Sequence, residues 1–186
     1  ESIWHRHSLL STTGRVPDRA VLINCAGTTG FIGHNPTSLQ DIQQAADLNF
    51  TSKAWLSSRF IEQYSNSNTT VVNISSMCAV KPTPTMALYC STSAGREMYH
   101  NVLATTTPAR ILNYAPGSCN TNMQALVREH EALDPAVQAY CQSLVVEGTL
   151  VPCEDTAAEL VRLVFEPDTF QSGERVEYVN MSNYKY

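Results

Sequence analysis

The sequence predicts an α/β fold in which helices cover a parallel sheet, and three observations lead there. Short, continuously apolar runs occur at 20–24, 70–74 and 110–114, the pattern of strands buried on both faces. Longer segments with apolar residues at helical spacing lie between them. Strand-like and helix-like segments therefore alternate along the chain, as they do in a parallel sheet linked by crossover helices.

In chain order, residues 1–18 are weakly patterned, and Leu9-Leu10 suggests the end of a helix. Ala20-Val21-Leu22-Ile23-Asn24 is the first strand, closed by Cys25-Ala26-Gly27. Thr37-Ser38 offers an N-cap, and Asp41 follows three residues after Ser38 as a weak capping box. A helix, straight or bent, is predicted over 39–64, with Ile42, Ala45, Leu48, Ala54, Leu56 and Ile61 apolar. Ser65-Asn66-Ser67-Asn68 breaks it. The second strand is 70–74 and the next helix 90–106. Arg110-Ile111-Leu112-Asn113-Tyr114 is the third strand, ended by Ala115-Pro116-Gly117. Helices are expected over 120–132, 134–147 and 155–165. Gly173 precedes a last strand over 175–179. In such sheets ligands bind beyond the carboxyl ends of the strands, where Asn24, Ser76 and Pro116-Gly117 fall.

The 186 residues suit one domain, 1–186, with a sizeable core. A formal net charge of −5 and only three lysines (Lys53, Lys81, Lys185) argue against a nucleic-acid partner. The six cysteines form no Cys-x-x-Cys pair and no zinc spacing, so no metal is expected and the thiols read as reduced. No run approaches the roughly 18–20 apolar residues of a membrane span, and no secretory signal is recognisable, which points to the cytoplasm.

The residues that could carry chemistry begin with Ser76. It ends the segment Val71-Val72-Asn73-Ile74-Ser75-Ser76, and Tyr89 follows thirteen residues later at the start of a helix. A strand-end hydroxyl and a helix-start phenol can converge on one carbonyl oxygen, the serine orienting it and the phenol donating a proton. A capping serine and a packed tyrosine would explain an isolated pair better. Here the pair sits in a longer series: Asn24-Cys25-Ala26-Gly27, Asn49 in Asp47-Leu48-Asn49-Phe50, Asn73-Ile74-Ser75-Ser76, Tyr89, then Tyr114-Ala115-Pro116-Gly117 with Thr121.

That series resembles the short-chain dehydrogenase/reductase family from about residue 19 to the end. Within the family it is similar to the branch that reduces side-chain carbonyls of pterins with NADPH on the route to tetrahydrobiopterin. That narrower likeness rests on residues 71–79, 87–90, 112–117, 121–124 and 172–177. The resemblance implies a Rossmann-like, doubly wound parallel sheet. It also implies roles: Ser76 orienting the carbonyl, Tyr89 as acid, and Asn49 supporting a water relay. Asn24, Ala26 and Gly27 would line the ribose side of NADPH; Pro116, Gly117 and Thr121 would line its nicotinamide and phosphate side. Glu177 would hold the pterin ring by paired, charge-assisted hydrogen bonds; the alternative for this position is a solvent-facing strand residue. The helices near 49–64 and 90–106 would build a homodimer.

Two departures stand out. Ser93 occupies the place of the family's lysine, which would share a helical face with Tyr89 and lower its pKa by charge proximity. No Thr-Gly-x-x-x-Gly-x-Gly turn occurs, and the spacing of Gly27, Gly30 and Gly33 is not the dinucleotide fingerprint. The chain also begins at Glu1 without methionine. The expectation is the C-terminal portion of the fold, truncated on the glycine-rich-turn side, with 20–24 left as a sheet edge. The alternative is a catalytically impaired relative that acts as a dimerisation or interaction module.

Overall fold

The structure, a computed structural model, describes residues 17–35 and 38–179. The helix end expected at Leu9-Leu10, and Thr37 of the expected cap, lie outside the described residues. Four parallel strands, β1 (Arg19–Asn24), β2 (Asn68–Ile74), β3 (Arg110–Ala115) and β4 (Arg175–Glu177), form one sheet in the order β1-β2-β3-β4. The first three match the apolar runs, and the last is shorter than predicted. Among the described residues β1 is a sheet edge, with Ile23 47% exposed.

The helix predicted over 39–64 is interrupted. α1 (Leu39–Ala46) and α2 (Ser52–Gln63) are joined by a π-helical turn at Asp47–Thr51, and such turns bend a helix by inserting a residue. Ser38 caps α1, its Oγ accepting from the Asp41 N–H at 3.3 Å. α3 (Ala87–Thr106) begins before the predicted 90, so Tyr89 lies within its first turn. α4 (Asn122–Glu129), α5 (Pro135–Val146) and α6 (Cys153–Phe165) complete the chain order.

Strand register sorts the core into two faces. Leu22, Val71 and Ile111 align across the sheet and pack with Phe60, Ile61, Leu103 and Ala104 of α2 and α3. The neighbouring positions Val72 and Leu112, with Tyr114, pack on Leu160, Leu163 and Val164 of α6. The first two crossovers therefore run over one face and the third over the other. All three step in the same direction along the sheet, so the third has the opposite hand to the first two. Crossovers of one hand dominate parallel sheets. α4, α5 and the turn between them pack Val127, Val137 and Leu133 against Ile32 and Met86, with Tyr89 and Cys90 at the margin. That cluster walls the space beyond the strand ends.

Candidate active site

The carboxyl ends of the strands open into a cavity of about 540 Å³, within the range of small-molecule sites. Its lining includes Ala26 and Gly27 after β1, Ser76 after β2, and Pro116, Gly117 and Thr121 after β3. Tyr89 and Glu177 also line it. Ser76 is held by its own backbone: it caps the short 3₁₀ turn Met77–Ala79, its Oγ accepting from the Cys78 N–H at 3.2 Å. Arg175 on β4 steadies the same segment, donating to the Ser76 carbonyl at 3.1 Å and to Ser75 Oγ at 3.0 Å. Arg175 also pairs with Glu97 and, at 2.7 Å, with Glu177 Oε1. Glu177 thus reaches the cavity with one carboxylate oxygen engaged.

Tyr89 and Ser76 line the same cavity, close enough for the Ser76 hydroxyl to act on the phenol. Burial raises the Tyr89 phenol above the ordinary value, with the Cys78 thiol adding to this; the Ser76 hydroxyl and the Arg96 charge pull it down. At neutral pH the phenol therefore keeps its proton, the form a general acid needs. Beside it, hydrogen bonding between Cys78 and Cys90 raises Cys78 and lowers Cys90 to about 6.

Three predicted site residues do not reach the cavity wall. The Asn24 side chain lies on the α2/α3 face and is buried, its Nδ2 donating to Ser57 Oγ at 2.8 Å. Its side chain is thereby turned toward α2 and not into the cavity. Asn49, in the π-turn, is fully buried. Its Oδ1 accepts from the Thr28 N–H at 2.9 Å, and its Nδ2 donates to the Thr28 carbonyl at 2.8 Å and to Thr92 Oγ1 at 3.2 Å. Its carbonyl accepts from Arg96 at 3.2 Å. Asn49 therefore clamps the loop after β1 to α3. Ser93 is fully buried, and its Oγ has no hydrogen-bond partner.

The sequence reading missed Lys53, Arg96 and Arg175 as site residues. Lys53 is 3% exposed yet lines the cavity. Burial, with the neighbouring Arg96 charge, lowers its ammonium to about 8. Arg96 spans the floor, donating to the carbonyls of Asn49 and Ile74. The spacing Asn49-Lys53-Ser57 was the available signal, since it puts all three on one helical face.

The residues fit the nicotinamide-ribose half of a dinucleotide. Gly27 presents a bare Cα, where a Cβ would stand 3.4 Å from Asn49 Oδ1 and 3.7 Å from Lys53 Nζ. Gly117, at φ +86°, adopts a conformation open to glycine, and a Cβ there would press on Val151 and Val179 at 3.0 Å. No metal-binding group of His, Cys, Asp or Glu occurs among the described residues, and no helix among them is long and apolar enough to cross a membrane.

The family model for short chain dehydrogenase matches residues 12–132. Sepiapterin reductase of Rattus norvegicus is 40% identical over 185 residues, covering 93% of this chain and 70% of that protein. Sepiapterin reductase of Meriones unguiculatus is 40% identical over 167 residues, covering 86% of this chain and 63% of that protein. The chain thus spans between three fifths and three quarters of these relatives. Among solved structures, the KRED1-Pglu enzyme superposes with a TM-score of 0.79 at 22% identity, over 88% of this chain and 69% of that one. A variant of actinorhodin polyketide ketoreductase with NADPH gives 0.74 at 19% identity, over 88% and 67%.

Proposed function

The chain belongs to the short-chain dehydrogenase family, and from that premise we propose that it serves an NADPH-dependent reduction of a carbonyl on a pterin side chain. The observation that carries this reading is the convergence of Ser76 and Tyr89 on one cavity at the strand ends. The Ser76 hydroxyl orients the substrate carbonyl, and the Tyr89 phenol gives its proton to the oxygen. NADPH, when bound, supplies the hydride. Ala26 and Gly27 face its ribose, and Pro116, Gly117 and Thr121 face its nicotinamide and phosphate side. Glu177 keeps one carboxylate oxygen for the amino-pyrimidinone of a pterin. Asn49 acts chiefly by holding the loop that carries Gly27, and any water relay at this residue runs through its carbonyl.

A homodimer through α2 and α3, in the cytoplasm, belongs to the same proposal. It is supported by the exposure of Leu48, Trp55, Met98 and Val102 on and beside those helices. Ser93 at the lysine position favours one second reading, an impaired relative acting as an association module. Tyr89→Phe is expected to lower the turnover of sepiapterin by about 10²–10⁴-fold while NADPH affinity, followed by fluorescence titration, stays constant. A variant as fast as its parent removes Tyr89 as the acid. Protein that binds no NADPH at millimolar concentration supports the module instead.

A further inference from the structure

Ser93 and Lys53 belong to one arrangement. α2 and α3 face each other in successive rungs. Asn49 bonds Thr92 and Arg96 at one end. One rung further, Ser57 Oγ meets His100 Nε2 at 2.9 Å. Lys53 lies one turn from both Asn49 and Ser57 on the same stripe of α2, level with the turn of α3 that carries Ser93 and Arg96. On α3, Tyr89, Ser93, Arg96 and His100 form the facing stripe. At Ser93 that stripe holds a small, fully buried side chain whose hydroxyl is unpartnered.

Burying a lysine is costly unless its ammonium finds a carboxylate or other acceptors. Lys53 makes no ion pair and no hydrogen bond with any described residue. Its neighbour Arg96 is a second cation, and burial leaves the ammonium at about 8, so it is charged at neutral pH. Its Nζ lies 3.7 Å from where a Gly27 Cβ would be, on the floor of the cavity that Tyr89 lines. Three N–H donors held without an acceptor beside a bare backbone suit a ligand oxygen better than a protein one.

We propose that Lys53 is the cation of this site, presented from α2 in place of one on α3, and that it donates hydrogen bonds to the vicinal hydroxyls of the ribose next to the nicotinamide. This deepens the reductase reading and rests on it. Ser93 then has a steric role: a small side chain on α3 leaves the space that the long Lys53 side chain enters from the opposite helix.

The test is to transfer the cation. Lys53→Met should weaken NADPH binding by about 10- to 100-fold, the loss of a hydrogen bond from a charged group. The same variant should raise the Tm of the ligand-free protein, because an unpaired buried charge is removed. The loss should be equal for NADPH and NADH, whose ribose hydroxyls on the nicotinamide side are the same. Adding Ser93→Lys to Lys53→Met should recover most of the affinity. Lys53→Met that binds NADPH like the parent overturns the inference alone. A lowered Tm with unchanged affinity does so too and makes Lys53 structural. A loss confined to NADPH overturns the ribose assignment. A parent protein that binds neither nucleotide overturns the reductase reading and this inference with it.

Discussion

The two faces of the sheet are built from different chemistry. Against α6 the interior is apolar up to the cavity: Val72, Leu112, Leu160, Leu163, Val164 and Phe170 pack together, and the Tyr114 hydroxyl is satisfied by the Thr156 carbonyl at 2.8 Å. Against α2 and α3 the interior turns polar toward the strand ends. Asn24, Asn73 and Asn113 stand in register as a row across three strands. Asn73 Nδ2 donates to Asn113 Oδ1 at 2.8 Å, and Asn113 Nδ2 donates to Asn101 Oδ1 at 2.7 Å. Asn24 continues into Ser57 and His100, and Lys53, Arg96 and Glu97 lie beyond. One face supplies stability with little specificity. The other fixes the loops and helices that carry Ser76, Gly27 and Tyr89, because each buried polar group there has few acceptable partners.

Substitutions can break or sharpen that contrast. Leu163→Ala on the apolar face should lower the unfolding free energy by about 2–5 kcal/mol in urea titrations and leave the affinity for the proposed nicotinamide cofactor unchanged. A comparable loss of affinity would show that the faces are coupled.

Acid should act through the polar face. His100 Nδ1 donates to the Arg96 carbonyl at 2.8 Å, which leaves Nε2 to accept from Ser57, the neutral tautomer. Burial lowers this imidazole from 6.5 to about 4. Its folded pKa lies below the unfolded one, so the unfolded chain takes up the proton first as pH falls. The stabilisation is complete above about pH 6.5 and disappears toward pH 4, worth up to about 3 kcal/mol. The stability gap between the protein and His100→Gln should therefore narrow by that amount between pH 7 and pH 4. A constant gap would remove His100 from the acid response.

The smallest effect is expected in the asparagine row. Asn113→Ala leaves Asn73 Nδ2 and Asn101 Oδ1 without partners, at about 1–3 kcal/mol. A neutral outcome in the same urea titrations would mean that the row is dispensable.

Much of this was legible in the chain. The three apolar runs became strands, Ser38 became a cap, and Ser76 and Tyr89 met in one cavity. Other features were not. No residue at 47–51 signals a π-turn, since Asp47-Leu48-Asn49-Phe50-Thr51 carries neither proline nor glycine. The apolar stripe of α6 announces that the helix is buried and is silent on which sheet face it covers. Asn24 read as a strand-end residue open to a ligand, and only the register turns it inward. Lys53 read as one of three scattered lysines, because its spacing with Asn49 and Ser57 marks a shared helical face without showing that α3 will close over it.

By itself, the sequence determined the alternation of strands and helices and the position of a hydroxyl and a phenol at the ligand-facing edge. Those properties follow from local periodicity and from two residues only thirteen positions apart. Tertiary structure alone decided which polar groups are buried and with whom, for those bonds join residues dozens of positions apart, up to the hundred that separate Ser75 from Arg175. Such pairings depend on strand register and helix approach, and these are set by the packing of the whole domain.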